Sequence, residues 1–185
     1  MTAKGITLTG ITAADKTYDA TTAATLNTAN VAYSGLIGGD TIALAGNGTG
    51  SFTTKDVGTN KTVTVSGYTL SGADASNYVV AQPTGLTATI SKADLMVSGV
   101  SGVNKTYDAT TNATLTGSAS VSALQSDVVS VAGTGTGSFA DANAGTNKNV
   151  TVTGYTLNGS DAGNYNLVQP TGVSASINKA DLTLS

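Results

Sequence analysis

Apolar and polar residues alternate with a period of two in short runs along this chain. Thr62-Val63-Thr64-Val65 and Asn149-Val150-Thr151-Val152 show it, as do Leu86-Thr87-Ala88-Thr89-Ile90 and Val173-Ser174-Ala175-Ser176-Ile177. Ile42-Ala43-Leu44 with Val129-Ser130-Val131, and Ile6-Thr7-Leu8 with Leu95-Met96-Val97, are shorter cases. Successive side chains of a strand point to opposite faces, so the pattern predicts half-buried strands. Turn clusters separate the runs: Gly38-Gly39-Asp40, Gly46-Asn47-Gly48, Asp56-Val57-Gly58 and Ser71-Gly72-Ala73-Asp74. Gly supplies positive φ in such clusters, and Asn or Asp closes local side-chain turns. Short strands with a turn roughly every 8–12 residues predict a sandwich or barrel.

The same runs occur twice. Lys16-Thr17-Tyr18-Asp19-Ala20-Thr21-Thr22 returns as Lys105-Thr106-Tyr107-Asp108-Ala109-Thr110-Thr111. Gly50-Ser51-Phe52 returns as Gly137-Ser138-Phe139, Gln82-Pro83-Thr84-Gly85 as Gln169-Pro170-Thr171-Gly172, and Lys92-Ala93-Asp94-Leu95 as Lys179-Ala180-Asp181-Leu182. Residues 40–95 aligned on 127–182 give 34 identities in 56 positions. A two-residue deletion falls between Leu26 and Asp40. A period this long suits a self-sufficient domain rather than one turn of a solenoid. The expected division is 1–92 for the first repeat, 93–180 for the second, and 181–185 for the start of a third. The joint Ile90-Ser91-Lys92-Ala93-Asp94-Leu95 carries no Pro, Gly or Ser-rich linker, which predicts a stiff connection.

One local pattern narrows the fold. Asp74-Ala75-Ser76-Asn77-Tyr78-Val79-Val80 and Asp161-Ala162-Gly163-Asn164-Tyr165-Asn166-Leu167 resemble a tyrosine corner, in which a Tyr at the start of a strand bonds back to backbone. The expected fold is therefore all-β: two tandem immunoglobulin-like β-sandwich modules arranged end to end. The alternative is a β-grasp-like mixed sheet in each repeat. The expected core is Leu26, Ile42, Leu44, Phe52, Val63, Val65, Leu70, Tyr78, Leu86 and Ile90. Its counterpart is Leu115, Val129, Val131, Phe139, Val150, Val152, Leu157, Tyr165, Val173 and Ile177.

Composition supports strands over helices. Thr, Ala, Gly, Ser, Asn and Val fill most of the chain; all of these but Ala are weak helix formers, and the long straight-chain helix formers are scarce. The net charge is −3, with eight Lys and no Arg, so no basic face is expected for nucleic acid. No apolar run approaches the length of a membrane-spanning helix. No apolar run follows Met1-Thr2-Ala3-Lys4, so no export signal is read in this segment. The absence of Cys excludes a disulfide framework.

Taken in order and spacing, these blocks resemble the YDG repeat and its MBG relatives. Those repeats occur in tandem in large bacterial haemagglutinin-like and filamentous adhesins, many exported by two-partner secretion. The resemblance covers nearly the whole chain, twice. It implies an extracellular stalk at a Gram-negative cell surface that projects a distal binding domain in adhesion or biofilm formation. Its partners would be neighbouring repeats of the same chain, with host or biofilm glycans met by distal domains. There is one departure: the eponymous Gly is Ala20 in the first copy and Ala109 in the second. An L-residue at positive φ is strained by about 1–2 kcal/mol, so negative φ is expected at both.

The motif residues singled out are Tyr18, Asp19, Tyr107 and Asp108, and the corner pairs Asp74 with Tyr78 and Asp161 with Tyr165. Tyr18 and Tyr107 could stack on sugar, but Tyr18 sits in a repeated block and a packing role is expected for it, with its hydroxyl bonded near Asp19. No enzyme is expected: there is no His to act as base and no Gly-x-Ser-x-Gly elbow. No cofactor is expected either. Structural calcium is the ligand weighed, since Asp94 lies near Asn104 in sequence and Asp15 precedes the first motif. Against it stands the commoner use of a lone Asp as a turn cap. A Lys–Asn cross-link at Lys16 or Lys105, beside Asp19 or Asp108, is a further option; a surface Lys is the simpler reading. The alternative function is a weak glycan- or matrix-binding repeat acting through avidity, whose signature would be a Tyr or Asp cluster exposed on both copies.

Overall fold

The computed structural model describes residues 2–183. The chain divides into two compact units, residues 1–92 and 93–185. Both are built from strands, and the described residues contain no α-helix, only two 3-10 turns at Ala75–Asn77 and Ala162–Asn164. The expected all-β, sandwich-like class stands, with curled sheets.

In the first unit a five-stranded sheet runs in the order Lys16–Thr17, Leu86–Ser91, Gly58–Ser66, Thr49–Phe52, Ala23–Ala24. Its pairs are antiparallel except the first, where Lys16–Thr17 lies parallel to the closing strand. A second sheet orders Tyr78–Ala81, Lys4–Thr9 and Ala32–Ser34, and here too the opening strand pairs in parallel, Ile6 opposite Val80. Two ribbons complete the unit: Thr12–Ala13 with Leu26–Asn27, and Ala43–Ala45 with Thr69–Ser71.

The second unit repeats the plan. Its five-stranded sheet orders Lys105–Thr106, Ser174–Asn178, Gly145–Asn158, Ser130–Phe139 and Asn112–Ala113. Ala93–Met96 runs parallel to Tyr165–Val168, and Ser98–Gly102 pairs with Leu115–Ser120. The Gly46-Asn47-Gly48 turn of the first unit has a different fate here. Its match, Gly133-Thr134-Gly135, stays within one ten-residue strand as an irregularity between Gly133 and Thr136. Gly133 and Gly154 both hold positive φ there, a conformation that suits a bulge.

Burial follows the alternation that marked the strands. Val63 and Val65 are buried in Gly58–Ser66, and Ala88 and Ile90 in Leu86–Ser91. In the second unit Phe139, Val150, Val152, Val173, Ala175, Ile177 and Ala113 form one cluster, with Leu115 and Tyr155 packed against it. The core differs from the sequence expectation in two ways. The opening strand contributes more than expected: Ile6 is 0% exposed, Leu95 5% and Val97 2%. Conversely Ile42, Leu44, Leu70, Val129, Val131 and Leu157 are only half-buried, as are Leu26, Leu86 and Leu115. Leu44 and Leu70 face each other across the Ala43–Ala45 ribbon, a two-stranded element without a third strand to cover it.

Candidate functional site

Residues of the repeated blocks gather into three sets of ties in each unit. The first is centred on Lys16. Its stem is largely buried, and its Nζ donates to Asp19 Oδ1 at 2.7 Å, Thr21 O at 2.9 Å, Thr21 Oγ1 at 3.2 Å and Ala23 O at 2.9 Å. The same ammonium sits 5.5 Å from the centroid of the Phe52 ring, a cation–π contact. Phe52 N–H in turn donates to Thr22 O at 2.7 Å. The Lys-Thr-Tyr-Asp-Ala-Thr-Thr and Gly-Ser-Phe blocks, separate in sequence, thus meet at one point. Lys105 does the same, with Asp108 Oδ1 at 2.8 Å, Thr110 O at 2.8 Å, Thr110 Oγ1 at 3.0 Å and the Phe139 ring at 5.7 Å.

Asp19 closes the turn. Its Oδ1 also accepts Thr21 N–H at 2.9 Å and Thr21 Oγ1–H at 2.8 Å, and Asp108 accepts the matching pair from Thr110. The residue enclosed by this clamp is in the left-handed region: Ala20 has φ 61° and Ala109 φ 62°. The expectation of negative φ is therefore overturned. The clamp carries three donors to one carboxylate oxygen, enough to hold a strained residue in place. Restoring glycine should relieve the strain. Ala20→Gly and Ala109→Gly should each stabilise their unit by ~1 kcal/mol, net of the added freedom of the unfolded chain. Urea melts of the two variants check it; unchanged or lowered midpoints would show the strain is not there.

The carboxylates of these clamps are held ionised. The Lys105 ammonium, then the Thr110 N–H and hydroxyl, draw Asp108 down to about 2. For Asp19 partial desolvation pushes upward, but the bonds from Lys16 and Thr21 outweigh it, and its carboxyl lies below the ordinary 3.8. Asp141 is lowered by Lys148, which bonds Asp141 Oδ1 and Asn143 O. A carboxyl whose folded pKa is depressed contributes stability that is complete above its unfolded value and lost as pH falls through the folded one. The melting temperature should therefore be level from about pH 7 to 5 and fall between about pH 4 and 2. Asp108→Asn should flatten that fall; an unchanged acid slope would remove these clamps from the account.

The second set of ties belongs to the corner. Tyr78 is buried, and its hydroxyl accepts Ile37 N–H at 3.0 Å while donating to Asp40 Oδ2 at 2.6 Å. The bond to Asp40 is the main reason the phenol is raised above its usual 10.0. Asp74 holds the same loop from a second point. Its Oδ2 accepts Thr41 N–H at 2.8 Å, and its N–H donates to Thr41 O at 3.3 Å. Together they grip both ends of the 37–41 loop. In the second unit Tyr165 binds Leu124 N–H at 3.0 Å and Asp127 Oδ2 at 2.7 Å, and Asp161 Oδ2 accepts Val128 N–H at 2.9 Å. The hydroxyl thus reaches a loop far back in the chain, not the corner's own turn.

A third tie had no sequence signal beyond its repetition. Gln82 Oε1 accepts Tyr68 N–H at 3.1 Å and Gln82 Nε2 donates to Tyr68 O at 2.9 Å; Gln169 treats Tyr155 alike, at 3.3 and 2.8 Å. The residue after each Gln is Pro, which has no N–H for a ladder, so the side-chain amide supplies the strand-like pairing.

The two motif tyrosines part company. Tyr18 is 2% exposed, under the Lys55 ammonium 6.0 Å from its ring centroid, whereas Tyr107 is 43% exposed. The position matching Lys55 is Ala142, so the second unit lacks the ammonium that lies over the ring in the first. Burial of the Tyr18 ring suits a packing role, while the Tyr107 ring is left open to solvent. The acids weighed for calcium tie segments far apart in the chain rather than capping turns: Asp15 Oδ1 accepts Thr89 N–H at 2.6 Å, and Asp94 Oδ1 accepts Asn166 Nδ2–H at 3.3 Å across a parallel strand pair. Among the described residues no three or more acids, His or Cys gather as metal ligands. Lys16 and Lys105 face ionised carboxylates and backbone carbonyls rather than an Asn amide, which does not suit a cross-link.

Fold and ties define a tandem of small all-β modules whose shared residues hold loops to strands. The chain belongs to the YDG family: the YDG domain model matches residues 2–85 and again 91–172. That family is structural or binding in character rather than an enzyme class. No curated protein and no solved structure matches the chain. Among the described residues no helix is long and apolar enough to cross a membrane.

Proposed function

We propose that this chain is a structural spacer: two stalk repeats of a bacterial cell-surface adhesin, lying outside the cell and projecting a distal binding domain. The observation that carries the reading is where the repeated residues point. Lys16, Asp19, Phe52, Asp74, Tyr78 and Gln82 each find a partner within their own unit, and their second-unit counterparts find the equivalent partner at similar distances. Residues kept alike in both copies are thus devoted to internal rigidity, as a module under tension requires. Surface positions such as Lys55 and Ala142 differ between the copies.

A glycan-binding repeat would present one aromatic or acidic platform on both copies. Tyr18 and Tyr107 differ too much in exposure to serve as that platform. The surface location and the haemagglutinin-like setting rest on the family resemblance. Screened against a glycan array and against extracellular-matrix proteins, the two-unit chain should bind nothing; specific binding shared by both units would sink the spacer reading in favour of a binding repeat.

A further inference from the structure

The chain holds two Asn-Gly pairs, one in each unit and at different places in the repeat. Asn47-Gly48 lies in a turn of the first unit, where the second has Thr134-Gly135. Asn158-Gly159 ends the strand Gly145–Asn158 of the second unit, where the first has Ser71-Gly72. At this second pair the Gly159 N–H donates to the side-chain Oδ1 of its own neighbour Asn158 at 2.8 Å. That bond sets the backbone nitrogen beside Cγ, the carbon directly behind Oδ1, and draws electron density from it. Both residues are exposed, so water and base reach the amide. Gly159 has φ 125°, and a Cβ there would lie 2.1 Å from Val128 O, so the position requires glycine and the nitrogen stays unshielded by a side chain. Gly48, by contrast, is packed on an interior ring. A Cβ there would lie 2.0 Å from Cζ of Tyr68, which is 6% exposed.

We propose that Asn158-Gly159 is a self-modification site, at which the folded second unit converts Asn158 to aspartate and isoaspartate. The Gly159 nitrogen gives its proton to hydroxide and attacks Asn158 Cγ. A Cγ–N bond forms, the Cγ–Nδ2 bond breaks, and Nδ2 takes a proton from water and leaves as ammonia. Water then adds to either carbonyl of the resulting imide ring. Opening one way leaves aspartate; opening the other leaves isoaspartate, whose main chain runs through the former side chain. One water is consumed and one ammonia released, with no change of oxidation state. A nucleophile held beside the carbon it attacks reacts faster than one that must find it. At Gly48 the same ring closure has to push the backbone against Tyr68. Either product places a carboxylate near Asp161, whose Oδ2 holds Val128 N–H at 2.9 Å. Isoaspartate also lengthens the main chain between two ties of this turn: Ser130 Oγ–H on Asn158 O at 3.4 Å and Ala162 N–H on Gly159 O at 3.2 Å. The corner of the second unit thus loosens with age, whereas Ser71 spares the first unit this change at the matching place.

The test is a slow incubation of the whole chain at mildly alkaline pH, both native and in urea. Peptide mapping by mass spectrometry separates the Asn, Asp and isoaspartate forms at each site. In the native protein Asn158 should convert on the order of tenfold faster than Asn47. In urea the two should convert at similar rates, because the geometry that separates them is gone. Equal native rates, a faster Asn47, or a native ratio that persists in urea would overturn the proposal. The aged protein should also melt at a lower temperature in its second unit. Asn158→Ser, which installs the residue found at the matching place in the first unit, should age without that shift. A sample converted at Asn158 whose second-unit midpoint has not moved would overturn the loosening of the corner.

Discussion

Phe52→Ala should unfold the first unit at temperatures where the second remains intact. Phe52 is 3% exposed, stands opposite Val63 in the five-stranded sheet, and lies under the Lys16 ammonium. Truncating a buried Phe costs about 3–5 kcal/mol through lost transfer energy and the cavity left behind. Loss of the ring also removes the face over which the ammonium rests. A unit of this size has a stability on the order of 5–14 kcal/mol, so one substitution takes a large part of it. The melting temperature of the first unit should fall by ~12 °C or more, while the transition of the second stays in place. Phe139→Ala should give the mirror result. Calorimetry resolves the two transitions. A single cooperative transition in either variant would mean that the two units do not have separate interiors.

The second large effect is expected at the corner. Tyr78→Phe keeps the buried ring and deletes only the hydroxyl. The Asp40 carboxylate then loses its short donor and the Ile37 N–H its acceptor, both on the 37–41 loop. A bond to a charged group is about twice as strong as a neutral one, and a donor left without its acceptor adds to the loss. The melting temperature of the first unit should therefore fall by about 8 °C or more. Native-state hydrogen exchange should show the Ile37 amide opening well before the rest of the unit. The hydroxyl also sets an alkaline limit. A phenol whose folded pKa is raised contributes stability that is complete below its ordinary value and lost as pH rises through the folded one. Tyr78→Phe should remove that alkaline step along with part of the stability at neutral pH. If Asp40→Asn costs as much when combined with Tyr78→Phe as it does alone, the two groups are not coupled.

Much of the architecture is legible in the sequence because its signals are local. Thr62-Val63-Thr64-Val65 and Leu86-Thr87-Ala88-Thr89-Ile90 alternate long enough to declare a strand and its buried face. The opening strand alternates over only three residues, and its partner is a parallel strand more than seventy positions away, so the depth of Ile6 is hidden. Ala88 and Ala175 fall on the face the alternation marks, but side chains so small are not expected in the core, and both are buried. The corner residues Asp74 and Tyr78 stand out, but their partners do not. Asp40 lies 38 residues before Tyr78, and no spacing rule ties an acid to a phenol across that gap. The positive φ of Ala20 runs against residue preference. It becomes understandable only once Lys16, Asp19 and Thr21 are seen to close around it. The unequal cover of Tyr18 and Tyr107 is written in Lys55 against Ala142, a difference that has meaning only when both loops lie over the same ring.

The parallel pairing of Lys16–Thr17 with Leu86–Ser91 has a mechanical consequence. If the two ends of a unit are drawn apart, one of these neighbours is pulled backward along its own axis and the other forward. Their cross-links are then loaded side by side and must yield together, unlike an antiparallel hairpin peeled open rung by rung. The neighbouring parallel pair of Lys4–Thr9 with Tyr78–Ala81 meets the same pull in the same manner. Traction on the chain is therefore opposed by two short patches acting as brakes near its entry and exit, leaving the interior sheet shielded until they slip.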